Sequence, residues 1–364
     1  MSATIEEFRI TRYQFPRSRP IGDSQVRSDW HHIGTLELTS SSGQIGLGFF
    51  GALFHPLPPL VELERVFRTE VWPALVGQNV HALTHRMARP RGGNIGKGSP
   101  LFGQPVDQAI WDLAAKELDL PLYRLLGGTS NRVRAYASGL DYHLSTEDAA
   151  AFFAAAARQG FTAFKIKVGN PDLAWDLARL TAISAAVGPD ATLMVDANEA
   201  WSPKEAIRRA HAYRDAGFNI FWIEDPCLRD DFAGLAQVCQ EVPFAHINSG
   251  EYLDTRGKRL LMEHRAVDIL NVHGSITQTL HAAWLANEYG IPISLGNTPL
   301  ELGVHLAAAL PEARWIEYSF QDYNQIVAQP IQFEGGDAIA PDRPGHGLIL
   351  SDAARSEYAR PEVA

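Results

Sequence analysis

The chain is poor in cysteine: only Cys227 and Cys239 occur among its 364 residues. Two cysteines cannot build a disulfide framework, so a fold held by its core and a reducing cytoplasm are expected. No apolar run reaches the roughly 20 residues that span a bilayer. The opening MSATIEEFRITRYQFPRSRP lacks the apolar stretch of a secretory signal. Basic charge is also short. With 32 Lys and Arg against 42 Asp and Glu, the formal net charge is −10, which argues against a nucleic-acid partner, because that needs a concentrated basic surface. One apparent phosphate loop fails on inspection. GGNIGKGS (residues 92–99) has Arg91 where the first glycine of GxxxxGK belongs and Gly98 where a Ser or Thr is needed. It reads as a flexible glycine-rich loop, able to close over a site.

What is present is the composition of a globular protein able to bury a large core: 46% hydrophobic and 20% charged residues. Two grammars divide it. HHIGTLELTSSSGQIGLGFFG reads as two strands around a turn, and residues 57–128 read as helical, with Ile110, Leu113 and Leu118 near helical spacing before Gly127-Gly128. That is a compact α+β unit. From about Val133, eight short apolar runs alternate with alanine-rich helical segments: VRAYASG, FTAFKIKVG, TLMVDAN, NIFWIEDP, FAHINSGE, VDILNVHG, IPISLGN and RWIEYS. Repeated βα units imply a parallel sheet, either a (β/α) barrel or an open doubly wound sheet. EGGDAIAPDRPGHGLIL then carries too many turn residues for a helix and is expected to return to the first domain.

Three of these strands end in acids. Asp196 closes TLMVD, Glu224 closes IFWIE and Glu251 follows HINSG, at intervals of 28 and 27 residues. One βα unit separates each pair, so the carboxylates should meet at the C-terminal rim of the sheet, where barrel active sites lie. Clustered carboxylates repel one another unless a cation holds them, and an all-oxygen set favours Mg²⁺, or Mn²⁺, over softer metals. Singly, each acid could instead cap a helix or pair with an arginine. Lys165 and Lys167 in FKIKVG share one strand face. If that face is the barrel interior, their mutual repulsion should lower their pKa values and suit one of them as a base; if it is solvated, they are surface residues. A metal beside a lysine suits removal of a proton α to a carboxylate.

KIK, VDAN, WIEDP, SGE, WIE and, in the leading domain, AIWDLAAK occur in an order that resembles the enolase superfamily, most closely its mandelate racemase-like branch. The resemblance covers nearly the whole chain. It implies an α/β fold: a modified TIM (β/α) barrel (129–335), an N-terminal α+β capping domain (1–128) and a C-terminal segment (336–364) returning to the cap. It further implies Asp196, Glu224 and Glu251 as Mg²⁺ ligands, Lys167 as base, Lys165 as its partner or a substrate-carboxylate contact, and Asn198 as a substrate contact. A Lys or His base working with Mg²⁺ is the known pattern of enolase-superfamily sites, so this chemistry is carried by the resemblance.

The departures are informative. Mandelate racemase-like members end the sixth strand in Asp and the seventh in His. Here His273 stands at the first position and Gly296 or Asn297 at the second, so that dyad is missing. The muconate-lactonizing branch carries a Lys where His273 lies. His273 reads as an opposite-face acid or base, or else as a hydroxyl contact or a packed neutral histidine. The acid that stabilises the enolate is Glu317 by one branch and Glu301 by the other, with Glu317 favoured. The first expectation is dehydration of a sugar acid to a 2-keto-3-deoxy acid. Racemisation or epimerisation of a hydroxy or amino acid, cycloisomerisation of a lactone or anhydro sugar acid, and a silent ligand-binding relative remain open. Arg19, Arg27, His31, His32 and His55 are candidate substrate contacts or plain surface residues, and Trp222 and Trp315 are expected in the core. The partner expected is a small carboxylate, with no nucleic acid or membrane, and the family's habit implies a homo-oligomer.

Overall fold

The computed structural model describes residues 3–51, 55–87, 100–296, 302–321 and 323–360. The glycine-rich loop at 92–99, Asn297 and Glu301 lie outside them. The chain opens with an antiparallel sheet of β1 (Ile5–Gly22), β2 (Arg27–Ser40) and β3 (Ile45–Gly51). The sequence pattern reveals β2 and β3 but not β1, whose Pro16 and Pro20 interrupt the strand pattern. Prolines are tolerated there because β1 is an edge strand, and its register slips between Pro16 and Ile21. At the β1–β2 tip, Asp23 Oδ1 accepts from the amides of Gln25 at 2.7 Å and Val26 at 3.1 Å, a side-chain-built turn.

Helices α1 (Leu60–Val66), α2 (Val80–Met87), α3 (Pro100–Glu117) and α4 (Leu122–Leu125) follow. The backbone of α3 lies directly on β3. A Cβ on Gly46 would sit 2.1 Å from the Ala109 carbonyl oxygen and one on Gly48 1.9 Å from that of Pro105, so only glycine allows this approach. Phe102, Val106, Ile110 and Leu113 of α3 then bury against Ile10, Leu36, Leu38 and Phe50.

Eight parallel strands follow: β4 (Arg132–Ser138), β5 (Ala163–Lys167), β6 (Thr192–Asp196), β7 (Ile220–Glu224), β8 (His246–Ser249), β9 (Ile269–Val272), β10 (Ile293–Leu295) and β11 (Ala313–Tyr318). They are the eight runs read from the sequence. Pairing of β11 with β4, Glu317 opposite Tyr136, closes the ring and excludes an open doubly wound sheet. Between them run α5 (Thr146–Arg158), α6 (Leu173–Val187), α7 (Pro203–Asp215), α8 (Phe232–Glu241), α9 (Thr255–Glu263), α10 (Ile276–Glu288) and α11 (Gly303–Ala309). Ser145, Asp172, Ser202, Asp231, Asp254 and Ser275 each accept a first-turn amide, so six βα connections end in a helix cap. Trp222 and Trp315 are buried, as expected, in an aromatic layer with Tyr136 and Met194 that fills the barrel interior.

The C-terminal segment binds both parts of the molecule, where the sequence pointed only to the cap. β12 (Gln332–Glu334) and β13 (Asp337–Ile339) form a hairpin, and β13 adds antiparallel to the start of β4, which extends beyond its barrel pairings. The chain then crosses to the cap. His346 Nε2 donates to the Leu47 carbonyl at 2.8 Å, and α12 (Asp352–Tyr358) brings Arg355 to Glu37 at 3.3 Å. A second junction joins cap to barrel. Asp107 of α3 accepts from the Thr277 amide at 3.0 Å and from its hydroxyl, while Trp111 Nε1 donates to the same hydroxyl. No described helix is long and apolar enough to cross a membrane.

Candidate active site

Strand register aligns Lys167, Asp196 and Glu224 as neighbours at the ends of β5, β6 and β7. All three, with Lys165 and Glu317, are almost fully buried, so the lysines face the barrel interior and not solvent. Lys165 Nζ lies 2.7 Å from Glu224 Oε1, 3.1 Å from Glu317 Oε1 and 3.3 Å from Asp196 Oδ2. Lys167 Nζ donates to Asp196 Oδ2 and Asn198 Oδ1, each at 2.6 Å. Asn198 and Glu199 hold left-handed φ values of 46° and 63°, and the Asn198 amide bonds Asp196 Oδ1. Such backbone is maintained only where surroundings enforce it, as the Glu199 amide bond to the Asp225 carbonyl does here.

The expected lowering of the lysine pKa values is not what this geometry produces. Burial does pull both down, but the attraction of Glu224 and Glu317 on Lys165, and of Asp196 on Lys167, outweighs it and leaves both raised. The difference has a plain physical source. Repulsion between the two ammoniums is visible in sequence, whereas their counter-ions arrive from other strands. Burial raises Asp196, yet Lys167 and Lys165 overcome that and hold it well below the usual carboxylate range. Glu224 goes the other way: burial, with repulsion from Asp196, Glu317 and Glu251, pushes it up against the pull of Lys165. Glu251 is pushed up to about 7 by burial and by Asp225, despite the opposing pull of Lys165.

The three expected ligands do not close into a ready cage. Among the described residues no group of three acidic, histidine or cysteine side chains is arranged to hold an ion. The Lys165 ammonium stands among Asp196, Glu224 and Glu317, supplying cationic charge itself. The donor set nevertheless fits a hard divalent ion on two observations. Glu224 Oε2 is buried without a hydrogen-bond partner. Four buried carboxylates (Asp196, Glu224, Glu251, Glu317) face two ammoniums (Lys165, Lys167), so full ionisation leaves two negative charges to be balanced. A divalent cation would supply that balance.

His273, just past β9, is half-buried, and its Nδ1 donates to the Gly296 carbonyl at 3.2 Å. Gly296, read from the sequence as a replacement for histidine, thus orients His273 through its backbone. The cap candidates scatter. Arg27 pairs with Asp29 at the surface and His55 is exposed. Arg19 lies over the Phe152 ring, and His32 is half-buried with its pKa lowered by burial. His31 is buried against Phe15 and Tyr323, with burial lowering its pKa to about 2. The tip between β1 and β2 does reach the rim, where Gln25 Nε2 donates to the Asn198 carbonyl at 2.6 Å.

Sequence reasoning missed several contributors. Asn271 Nδ2 donates to Glu224 Oε1 at 3.1 Å, and its two-residue offset from His273 was the available signal. Asp141 accepts from the Lys167 amide and pairs with Arg179, without any local motif. Lys258 is buried on α9 and donates to the carbonyls of Gly250 and Leu253, each at 2.5 Å, tying the turn that carries Glu251.

Residues 148–354 match the family model described as enolase C-terminal domain-like. The chain belongs to the enolase superfamily. Its structure superposes on a mandelate racemase-like protein from Mesorhizobium loti with a TM-score of 0.94 at 52% identity, covering 99% of this chain and 96% of that one. L-Talarate dehydratase from Polaromonas sp. JS666, crystallised with Mg and L-glucarate, gives 0.85 at 31% identity, covering 100% and 99%. A 3,6-anhydro-alpha-L-galactonate cycloisomerase from Streptomyces coelicolor is 30% identical over 95% of this chain and 97% of its own.

Proposed function

We propose that this superfamily member is a Mg²⁺-dependent acid-sugar dehydratase that converts an aldonate or aldarate to a 2-keto-3-deoxy acid. The observation that carries this reading is the disposition of Lys167 and His273. They end β5 and β9, four strands apart in a closed ring of eight, and so stand across the barrel from one another. A base on one face and an acid on the other suit anti elimination: Lys167 takes the α-proton and His273 protonates the departing β-hydroxyl. Asp196, Glu224 and Glu251 would hold the ion, with Mn²⁺ as an alternative. When bound, the ion supplies charge neutralisation for a substrate carboxylate that gains negative charge. Lys165 and Glu317 face the same charge, and Asn198 offers its side chain to a substrate hydroxyl.

Lys167 must lose its proton to act. Its raised pKa reflects the pairing with Asp196, and drawing that carboxylate into ion binding removes the attraction that holds the proton. The same two-sided geometry would also serve epimerisation, and the cycloisomerase relative keeps intramolecular ring opening in view. Incubation of an acid-sugar panel with Mg²⁺ in D₂O, read by 2-keto acid formation and chiral analysis, separates these outcomes. Dehydration predicts a 2-keto acid; α-deuteration with inversion and no keto acid would replace it with an epimerase. Lys167→Ala should reduce turnover ~1000-fold, the middle of the range usual for the loss of a general base; unchanged turnover would remove Lys167 from the chemistry.

A further inference from the structure

His273 needs a fixed orientation to serve the face opposite Lys167. It lies one residue past β9, and its hydrogen bond to the Gly296 carbonyl fixes the Nδ1 edge of the ring. Against the ring itself stands an aromatic wall. The Tyr252 ring meets it edge-on, with centroids 5.4 Å apart and planes at 75°. Tyr252 is 55% exposed, so burial alone does not immobilise it. The Arg229 guanidinium lies 4.9 Å from its ring centre.

Arg229 in turn is anchored at several atoms. Its Nη2 donates to Asp225 Oδ2 at 2.7 Å, its backbone amide donates to Glu199 Oε1 at 2.8 Å, and Nε lies 3.4 Å from that oxygen. Asp225 also accepts from Ser249 Oγ at 2.5 Å. A continuous series of contacts therefore runs along the barrel rim, from the loop after β6 through β7 and β8 to His273.

We infer that Tyr252, clamped by Arg229, is a positioning residue that holds the His273 imidazole in its working orientation; this rests on the role given to His273 above. Because Nδ1 faces a carbonyl, it carries the proton, and Nε2 is the nitrogen that serves the reaction. The ring wall keeps the imidazole from rotating about the Gly296 contact.

Two measurements test this. The first needs no ligand: the His273 ring resonances, assigned by loss in His273→Gln, should shift in Tyr252→Leu and Arg229→Met as the aromatic neighbour is lost or released. The second uses the acid sugar selected by the panel with Mg²⁺ in D₂O. Tyr252→Leu and Arg229→Met should lower product formation at least tenfold while α-proton exchange driven by Lys167 persists, and Tyr252→Phe, which keeps the ring, should recover most of the loss. Unmoved His273 resonances with unchanged product formation would overturn the inference. So would loss of the Mg²⁺-induced rise in melting temperature in both variants, because the pair would then be serving the neighbouring Glu251. His273→Gln with unchanged product formation would instead sink the role of His273 itself, a distinct outcome.

Discussion

A buried carboxylate that has lost its water must find a proton, a cation or a hydrogen-bond donor, and the barrel mouth uses all three. Asp196 finds two lysines, Glu224 finds Lys165 and Asn271, and Glu251 is left to protonate near neutrality. Ion binding to Glu251 therefore competes with its proton. The sign follows from the raised value: below about 7 the ion must displace a proton, and above it does not. Mg²⁺ affinity should fall about tenfold per pH unit as pH drops below 7, for one proton released. Calorimetry from about pH 8 to about 5.5, in buffers of differing ionisation enthalpy, checks this; pH-independent affinity without proton release would contradict it. Glu251→Gln should abolish the proton release while weakening the hold on the ion.

At the scale of elements, α10 begins where the cap ends. Ser275 accepts its Gln278 amide, and Asp107 from α3 accepts the amide and hydroxyl of Thr277, so one helix start is shared between two parts of the chain. Asp107→Ala should cost about 1–2 kcal/mol, the range for losing a helix cap, whereas Asp107→Asn, which keeps an acceptor, should cost less. Thermal melts compare them; equal loss would show that charge matters more than the acceptor. The eight barrel strands were legible because each is a compact apolar run and most are followed by a capped helix. Ring closure was not, since whether β11 meets β4 depends on twist summed over the whole sheet. Asp196, Glu224 and the lysines were legible from strand ends and two-residue spacing. The raised lysines were not, and neither was Lys258, which acts on backbone carbonyls and leaves no motif.

At the scale of the whole molecule, two histidines weld the C-terminal segment to the rest. His305 on α11 accepts from the Tyr123 amide through Nδ1 and donates from Nε2 to the His346 carbonyl, while His346 donates to Leu47. Asp112 accepts from the amides of Leu47 and His346 and pairs with Lys116. Burial lowers His305 to about 4. A folded value below the unfolded ~6.5 means its contribution is present above about pH 6.5 and is lost as pH falls towards 4. Acidification across that window should cost about 3 kcal/mol from this group. Melting temperature measured from about pH 7.5 to about 4.5 should fall for the native chain and fall less for His305→Gln; parallel declines would exclude the group.

Asn198 occupies a crossroads. Its side-chain oxygen belongs to Lys167, its amide to Asp196 and its carbonyl to Gln25 at the distant tip of the cap. Any guest that recruits Asn198 thereby tugs on a segment far away in sequence, and the Gly22 and His143 bonds to the same tip make that tug a shared one. Occupancy of the barrel should consequently be readable from outside, as a change in how fast trypsin cuts after Arg27.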